Sequence, residues 1–111
     1  VLEGDGAFQM TAQELSTIIR NKCNPVIFLL NNKGYVIERL IHDGPYNDIQ
    51  EWKYHRLPEV FGGGALSFNV RTEDELEDAL LKAMAETAKT VFVEVHFDPS
   101  DCSEALAGIA D

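Results

Sequence analysis

Basic residues are scarce in this sequence. Nine Lys and Arg stand against 19 Asp and Glu, for a formal net charge of −10. That balance argues against charge-driven binding to nucleic acid or to anionic membranes. Cysteine is scarcer still. The two thiols, Cys23 and Cys102, have no CxxC spacing. They read as cytosolic thiols and exclude a disulfide framework or a cysteine zinc site. No apolar run approaches the roughly 18–20 residues of a membrane span. No basic and apolar leader opens the chain, so nothing supports secretion. There is no internal repeat and no low-complexity tract.

What remains is an ordinary globular mixture, 45% hydrophobic and 25% charged over 111 residues. That length fits one domain or part of one. A chain of this size buries about 65% of its extended surface, enough for a core but not for two large domains around a deep cleft. Val1-Leu2-Glu3 reads as the end of a strand, and no initiator methionine precedes it. Residues 1–111 are therefore expected to be a portion of a longer chain, with an exposed sheet edge that limits solubility alone.

The charge is uneven. Residues 1–56 carry a net −1 and residues 57–111 a net −9. Much of the surplus lies in Glu73, Asp74, Glu75, Glu77 and Asp78. It reads as a solvated helix start, where acids complement the helix dipole.

The local pattern alternates strand and helix. Gly4-Asp5-Gly6 breaks the opening strand, as two glycines permit a tight turn. Thr11-Ala12-Gln13-Glu14 has capping-box spacing and predicts a helix from Thr11, with Leu15, Ile18 and Ile19 on one face. Val26 to Leu30 is a continuous apolar run, suited to a strand buried on both faces. Asn31 to Gly34 closes it. A short helix follows over Val36 to Ile41, then a loop over His42 to Lys53, then one helical turn near Pro58. Ala65 to Val70 is a strand. Thr72 to Glu75 is a second capping box, and Leu76, Ala79, Leu80, Ala83 and Met84 form that helix's face. Val91 to Val95 is the last strand, and a final helix is expected from Ser100 towards Ile109. This order predicts an α/β fold, a parallel sheet with helices on both faces. Right-handed crossovers place every strand's carboxyl end on one edge, where such sheets bind ligands.

Two polar groups fall on that edge. Asp5 sits between glycines, and Asn32 lies 27 residues further on. A βαβ unit returns the chain to a neighbouring strand end after about 30 residues, so the two can face a common point. A carboxylate and an amide oxygen are hard ligands that suit Mg²⁺, with phosphate oxygens and water completing its octahedron. The carbonyl of Gly34 is a candidate third ligand. The blander alternative is that Asp5 shapes a turn and Asn32 caps a helix.

Gly4-Asp5-Gly6, 24 residues, then Asn31-Asn32 resembles the thiamine diphosphate motif of the 2-oxo acid decarboxylases. The stretches Gly4 to Glu14, Asn31 to Glu38, Ile41 to Asn47 and Asp101 to Glu104 resemble the pyruvate decarboxylase family. The resemblance covers essentially the whole chain. It implies that residues 1–111 are the C-terminal portion of the domain binding the cofactor's diphosphate. It implies Mg²⁺ held by Asp5, Asn32 and the main-chain oxygen of Gly34. It also implies cofactor contacts from Gly4, Gly6, Ala7, Tyr35 and Ile37.

Glu38 matches the family residue that handles protons beside the reacting centre. A carboxyl in a closed, apolar site would have a raised pKa and carry a proton near neutral pH. Its alternative is a surface Glu paired with Arg39. The implied activity is non-oxidative decarboxylation of pyruvate to acetaldehyde and CO₂, in a cytoplasmic homo-oligomer, dimer or tetramer. Indolepyruvate or phenylpyruvate are alternative substrates, and a non-catalytic Mg²⁺-binding module is the rival from another class. Val36 departs from the Thr of many relatives. The family's activating glutamate and His-His pair lie in upstream domains, and a second subunit completes the cofactor site. The Asp43-Gly44-Pro45-Tyr46 loop is expected to close the site or join an interface. Trp52 and Tyr54 are expected to pack, and His42, His55 and His96 to be structural.

Overall fold

The computed structural model describes residues 1–110. Four strands form one parallel sheet: β1 (Leu2–Gly4), β2 (Val26–Asn31), β3 (Ala65–Val70) and β4 (Thr90–His96), in the order β1-β2-β4-β3. The α/β fold expected from the alternation is the one observed. Among the described residues no helix is long and apolar enough to cross a membrane.

Two apolar layers sandwich the sheet. On one face Ile27, Leu29 and Phe92 pack with Phe8, Ala12, Leu15 and Tyr54. Phe8 comes from α1 (Asp5–Met10), Leu15 from α2 (Glu14–Arg20) and Tyr54 from the 3-10 turn Tyr54–Arg56, with Ala12 in the turn between the two helices. On the other face Val70, Val91, Val93 and Val95 pack with Ala79 and Ala83 of α5 (Glu73–Ala85). Trp52 and Tyr54 do pack, their rings 5.7 Å apart, and Tyr54 meets Phe8 edge-on at 5.8 Å. Of the remaining helices, α3 (Val36–Ile41) falls where the sequence predicts it, α4 (Leu57–Val60) carries Pro58, and α6 (Glu104–Ala110) contacts α3.

Several boundaries differ from the sequence reading. Asp5 and Gly6 open α1 rather than forming a tight turn, and Gly4 is in ordinary extended backbone. Burying Phe8 draws this first helix onto the core. Thr11 therefore ends α1, its N–H donating to the Phe8 carbonyl at 3.0 Å, and makes no capping box. At Thr72 the N-cap half of the second box forms, its hydroxyl accepting from the Glu75 N–H at 3.2 Å, while the Glu75 carboxylate accepts from that hydroxyl and not from the Thr72 N–H. The final helix begins at Glu104, with the Ser103 hydroxyl accepting from the Leu106 N–H.

The strand buried on both faces is β4, not β2. The residues of β2 alternate, with Ile27, Leu29 and Asn31 buried and Val26, Phe28 and Leu30 half-buried. The reason is coverage: both strands have a neighbour on each side, but α5 packs over β4 and β3 and leaves that face of β2 less covered. For the same reason only Leu76, Ala79 and Ala83 of α5 face the sheet, while Met84 is 79% exposed. The acids that open α5 are exposed, as a solvated helix start requires.

Candidate functional site

The carboxyl ends of β1 and β2 lie side by side, with Gly4 in register with Leu30. Asp5 follows β1 directly and is 2% exposed. One carboxylate oxygen, Oδ1, accepts from the Gly6 N–H at 2.9 Å, and Oδ2 accepts from the Gly34 N–H at 3.0 Å. The 29-residue gap between Asp5 and Gly34 is thus closed by a direct bond. A carboxylate at the first turn also complements the helix dipole.

The turn after β2 is unusual backbone. Lys33 has φ 60° and Gly34 φ 123°, both left-handed. Gly34 must be glycine here, because a Cβ would stand 2.5 Å from the Asn47 carbonyl. The Asn47 carbonyl in turn accepts from the Tyr35 N–H at 3.1 Å. The Gly44–Asn47 segment therefore braces the start of α3. Gly6 is small for another reason: a Cβ there would meet the Tyr35 ring at 2.5 Å. The Tyr35 hydroxyl donates to the Gly6 carbonyl at 3.4 Å.

Asn32 brings its side-chain amide within 2.9 Å of both the Gly34 carbonyl and Asp5 Oδ1. With its NH₂ inward it donates to both. With its oxygen inward it completes a set of three oxygens, which repel unless a proton or a cation stands among them. Mg²⁺ holds its ligands at about 2.0–2.1 Å in an octahedron, which places adjacent ligand oxygens roughly 2.9 Å apart. The cluster fits that spacing. Burial pushes the Asp5 carboxyl up from its ordinary pKa, and the amides of Gly34 and Gly6 offset this only in part. A bound cation reverses that balance by favouring the carboxylate. Among the described residues no three His, Cys, Asp or Glu form a metal site. The donor set here is one carboxylate, one amide and one carbonyl.

The cluster opens into a groove of about 350 Å³. Every site residue expected from the sequence lines it: Gly4, Asp5, Gly6, Ala7, Asn32, Gly34, Tyr35, Ile37 and Glu38. Val36 and Leu106 complete the wall. Glu38 departs from expectation in one respect, since it is exposed rather than enclosed. Nor does it pair with Arg39. That guanidinium goes to Asp48 at 2.9 Å and to the carbonyls of Pro99 and Lys33.

A second polar cluster was not legible in the sequence. Glu94 lies in β4 among valines and is 1% exposed. It accepts from Asn31 Nδ2 at 2.8 Å, from the His55 N–H at 2.9 Å and from His55 Nδ1 at 2.7 Å. His96 Nε2 is 3.3 Å away. Burial opposes the charge on Glu94, but the donors from Asn31 and His55 outweigh it and hold its pKa below the ordinary value. Burial likewise lowers His96, against the pull of Glu94, and so favours the neutral imidazole. The one available signal was a lone charge inside a buried apolar run, which implies a partner. A cleft of about 500 Å³ lies over this cluster, lined also by Arg56, Asn69 and Arg71, and is separate from the oxygen cluster.

Comparison with known proteins places this geometry. The profile of the family described as thiamine pyrophosphate enzyme, C-terminal TPP binding domain, matches residues 1–95. The chain belongs to this family. Among curated relatives, pyruvate decarboxylase of Aspergillus fumigatus is 44% identical over 110 residues, which is 93% of this chain and 19% of the relative. Pyruvate decarboxylase 4 of Arabidopsis thaliana is 45% identical over 107 residues, 93% of this chain and 18% of the relative. A probable pyruvate decarboxylase of Schizosaccharomyces pombe is 42% identical over 109 residues, 96% of this chain and 19% of the relative. The chain thus spans about a fifth of the length of the curated relatives it matches. Family membership makes residues 1–95 a thiamine pyrophosphate-binding domain.

Proposed function

We propose that residues 1–111 form the C-terminal portion of a diphosphate-binding domain whose complete chain decarboxylates pyruvate to acetaldehyde and CO₂. The observation that carries this reading is the convergence of the Asp5 carboxylate, the Asn32 amide and the Gly34 carbonyl at the β1 and β2 ends. Asp5, Asn32 and the Gly34 carbonyl would hold Mg²⁺, which neutralises phosphate charge. The family relationship and the names of the relatives support thiamine diphosphate as cofactor and pyruvate as substrate. When bound, the cofactor supplies an electron sink for the carboxylate-bearing carbon.

The chain's own residues then have distinct tasks. Asp5 fixes the cation and is itself held by the amides of Gly6 and Gly34. Gly6 lets the backbone of α1 approach the groove, and Tyr35 closes over it. Ile37 and Val36 supply apolar wall that excludes water. Glu38 holds and moves a proton at its carboxyl. In this reading surfaces from upstream domains and a second subunit enclose it in the complete protein, a homodimer or homotetramer. Cytoplasmic location is part of the same reading, supported by two unpaired thiols.

The test is aldehyde release by the complete chain with thiamine diphosphate and Mg²⁺, from pyruvate, phenylpyruvate and indolepyruvate. Pyruvate preference is expected, with activity lost in Asp5→Ala and in Glu38→Gln. Preference for an aromatic substrate would keep the site and change the substrate. No aldehyde from any of the three would leave a cofactor-binding module without this chemistry.

A further inference from the structure

A carboxylate in the middle of the central strand needs a reason. Glu94 is 1% exposed, among Val91, Val93 and Val95, and makes no contact with the groove. Its bonds run in two directions. Oε1 is clamped by His55, through the backbone N–H and Nδ1. His55 is itself fixed, because the Ser67 hydroxyl of β3 donates to its carbonyl and its neighbour Tyr54 is locked in the core. The other oxygen, Oε2, accepts from Asn31 Nδ2 at 2.8 Å.

That second bond sets the orientation of Asn31. A carboxylate only accepts, so the Asn31 NH₂ must face Glu94 and its oxygen must face the other way. There Oδ1 accepts from the Lys33 N–H at 3.3 Å. This is an Asx-type turn, which favours the left-handed backbone that Lys33 and Gly34 adopt. The same turn carries the Asn32 oxygen and the Gly34 carbonyl into the oxygen cluster, and the Gly34 N–H onto Asp5.

We propose that Glu94 is a positioning residue for the cation site, acting through Asn31 to hold the 31–34 turn in the geometry that presents Asn32 and Gly34. This deepens the reading above and rests on it, since it takes Asp5, Asn32 and Gly34 as the Mg²⁺ ligands. Groups that orient metal ligands from behind typically change metal affinity by about 10–100-fold when removed. A brace that only joined β4 to the Tyr54–Arg56 turn would affect stability and leave metal affinity alone.

The test exchanges donor and acceptor. In Glu94→Gln, the His55 donors keep the new amide oxygen, so its NH₂ faces Asn31. Asn31 must then turn over, putting its own NH₂ against the Lys33 N–H and losing that anchor. In Asn31→Asp, two carboxylates face each other. The double variant restores both bonds, because the new amide donates to the new carboxylate, whose other oxygen accepts from Lys33. The readout is the dissociation constant for Mn²⁺, the probe for Mg²⁺, measured by paramagnetic resonance on the complete chain with thiamine diphosphate. Circular dichroism checks folding.

Each single variant is expected to bind Mn²⁺ at least tenfold more weakly, and the double variant to return to within about threefold of the original. Unchanged Mn²⁺ affinity in folded Glu94→Gln overturns the proposal, as does a folded double variant no better than the singles. Asn31→Ala, which leaves Glu94 and His55 joined, carries the test should Glu94→Gln not fold. A tenfold loss there supports the relay and no loss overturns it. Asp5→Ala separates the two levels. Mn²⁺ binding that survives Asp5→Ala refutes the ligand assignment itself, whereas loss there with no effect at Glu94 refutes only the relay.

Discussion

Among the described residues two carboxylates are buried almost completely, Asp5 at 2% and Glu94 at 1% exposure, and their environments push them in opposite directions. Asp5 is raised and Glu94 is lowered. Burial raises both, so burial cannot be the difference. The difference is the supply of donors. Glu94 collects an amide NH₂, a backbone N–H and an imidazole. Asp5 collects two backbone N–H groups and lies 2.9 Å from the Asn32 amide, whose oxygen turns towards it when a cation is held. A buried carboxylate with enough donors is a brace. One left short of donors, with other oxygens turned towards it, is a place for a cation.

The comparison can be broken most forcefully at the satisfied end. Glu94→Leu strands the Asn31 amide and the His55 N–H together. It should cost about 3–5 kcal/mol locally, as removing one partner of a buried polar cluster does. Amide exchange across β2 and β4 of the complete chain would report it, and protection unchanged within tenfold would show that Glu94 is no brace. At the other end, Asp5→Ala should weaken Mn²⁺ binding by at least about 100-fold, since in the proposed site it removes a ligand and not merely its support. Titration with and without thiamine diphosphate checks this.

Acidity sharpens the contrast. Glu94 has a folded pKa below its ordinary 4.5. Its contribution to stability is therefore complete above 4.5 and lost as pH falls through the lower folded value. His96 has a folded pKa below its ordinary 6.5. The unfolded chain takes up that proton first, so stability also falls as pH drops below 6.5. Exchange protection in β4 should thus decline in two stages on acidification, and Glu94→Gln should abolish the lower one. Protection that rose between pH 6.5 and 5 would contradict the assignment of a neutral His96.

The smallest expected effect concerns a hydroxyl that has no such partners. Thr90 Oγ1 is buried at the opposite end of β4 without a hydrogen bond. Replacing Thr90 by Val should stabilise the strand by about 1 kcal/mol, read as roughly fivefold slower exchange at its neighbours.

Much of this was legible locally. The strand Ala65–Val70 and the helix Val36–Ile41 fall where side-chain pattern and turn residues place them. The N-cap at Thr72 was equally readable, because its two partners are three residues apart. The same signature at Thr11 misled, since burial of Phe8 started the helix earlier than the caps alone imply. Exposure of Leu80 and Met84 was also hidden, because periodicity gives a helix face but not how much of it a sheet covers.

The sequence by itself determined the alternation of elements, hence the parallel sheet, and the spacing that brings Asp5 and Asn32 to adjacent strand ends. Those are properties of short windows and of chain length. Only the tertiary structure decided which carboxylate is satisfied. The bonds that do so join Glu94 to residues 63 and 39 positions away. No local pattern encodes such pairings, because they follow from which strands become neighbours and which side chains the packing then turns towards each other.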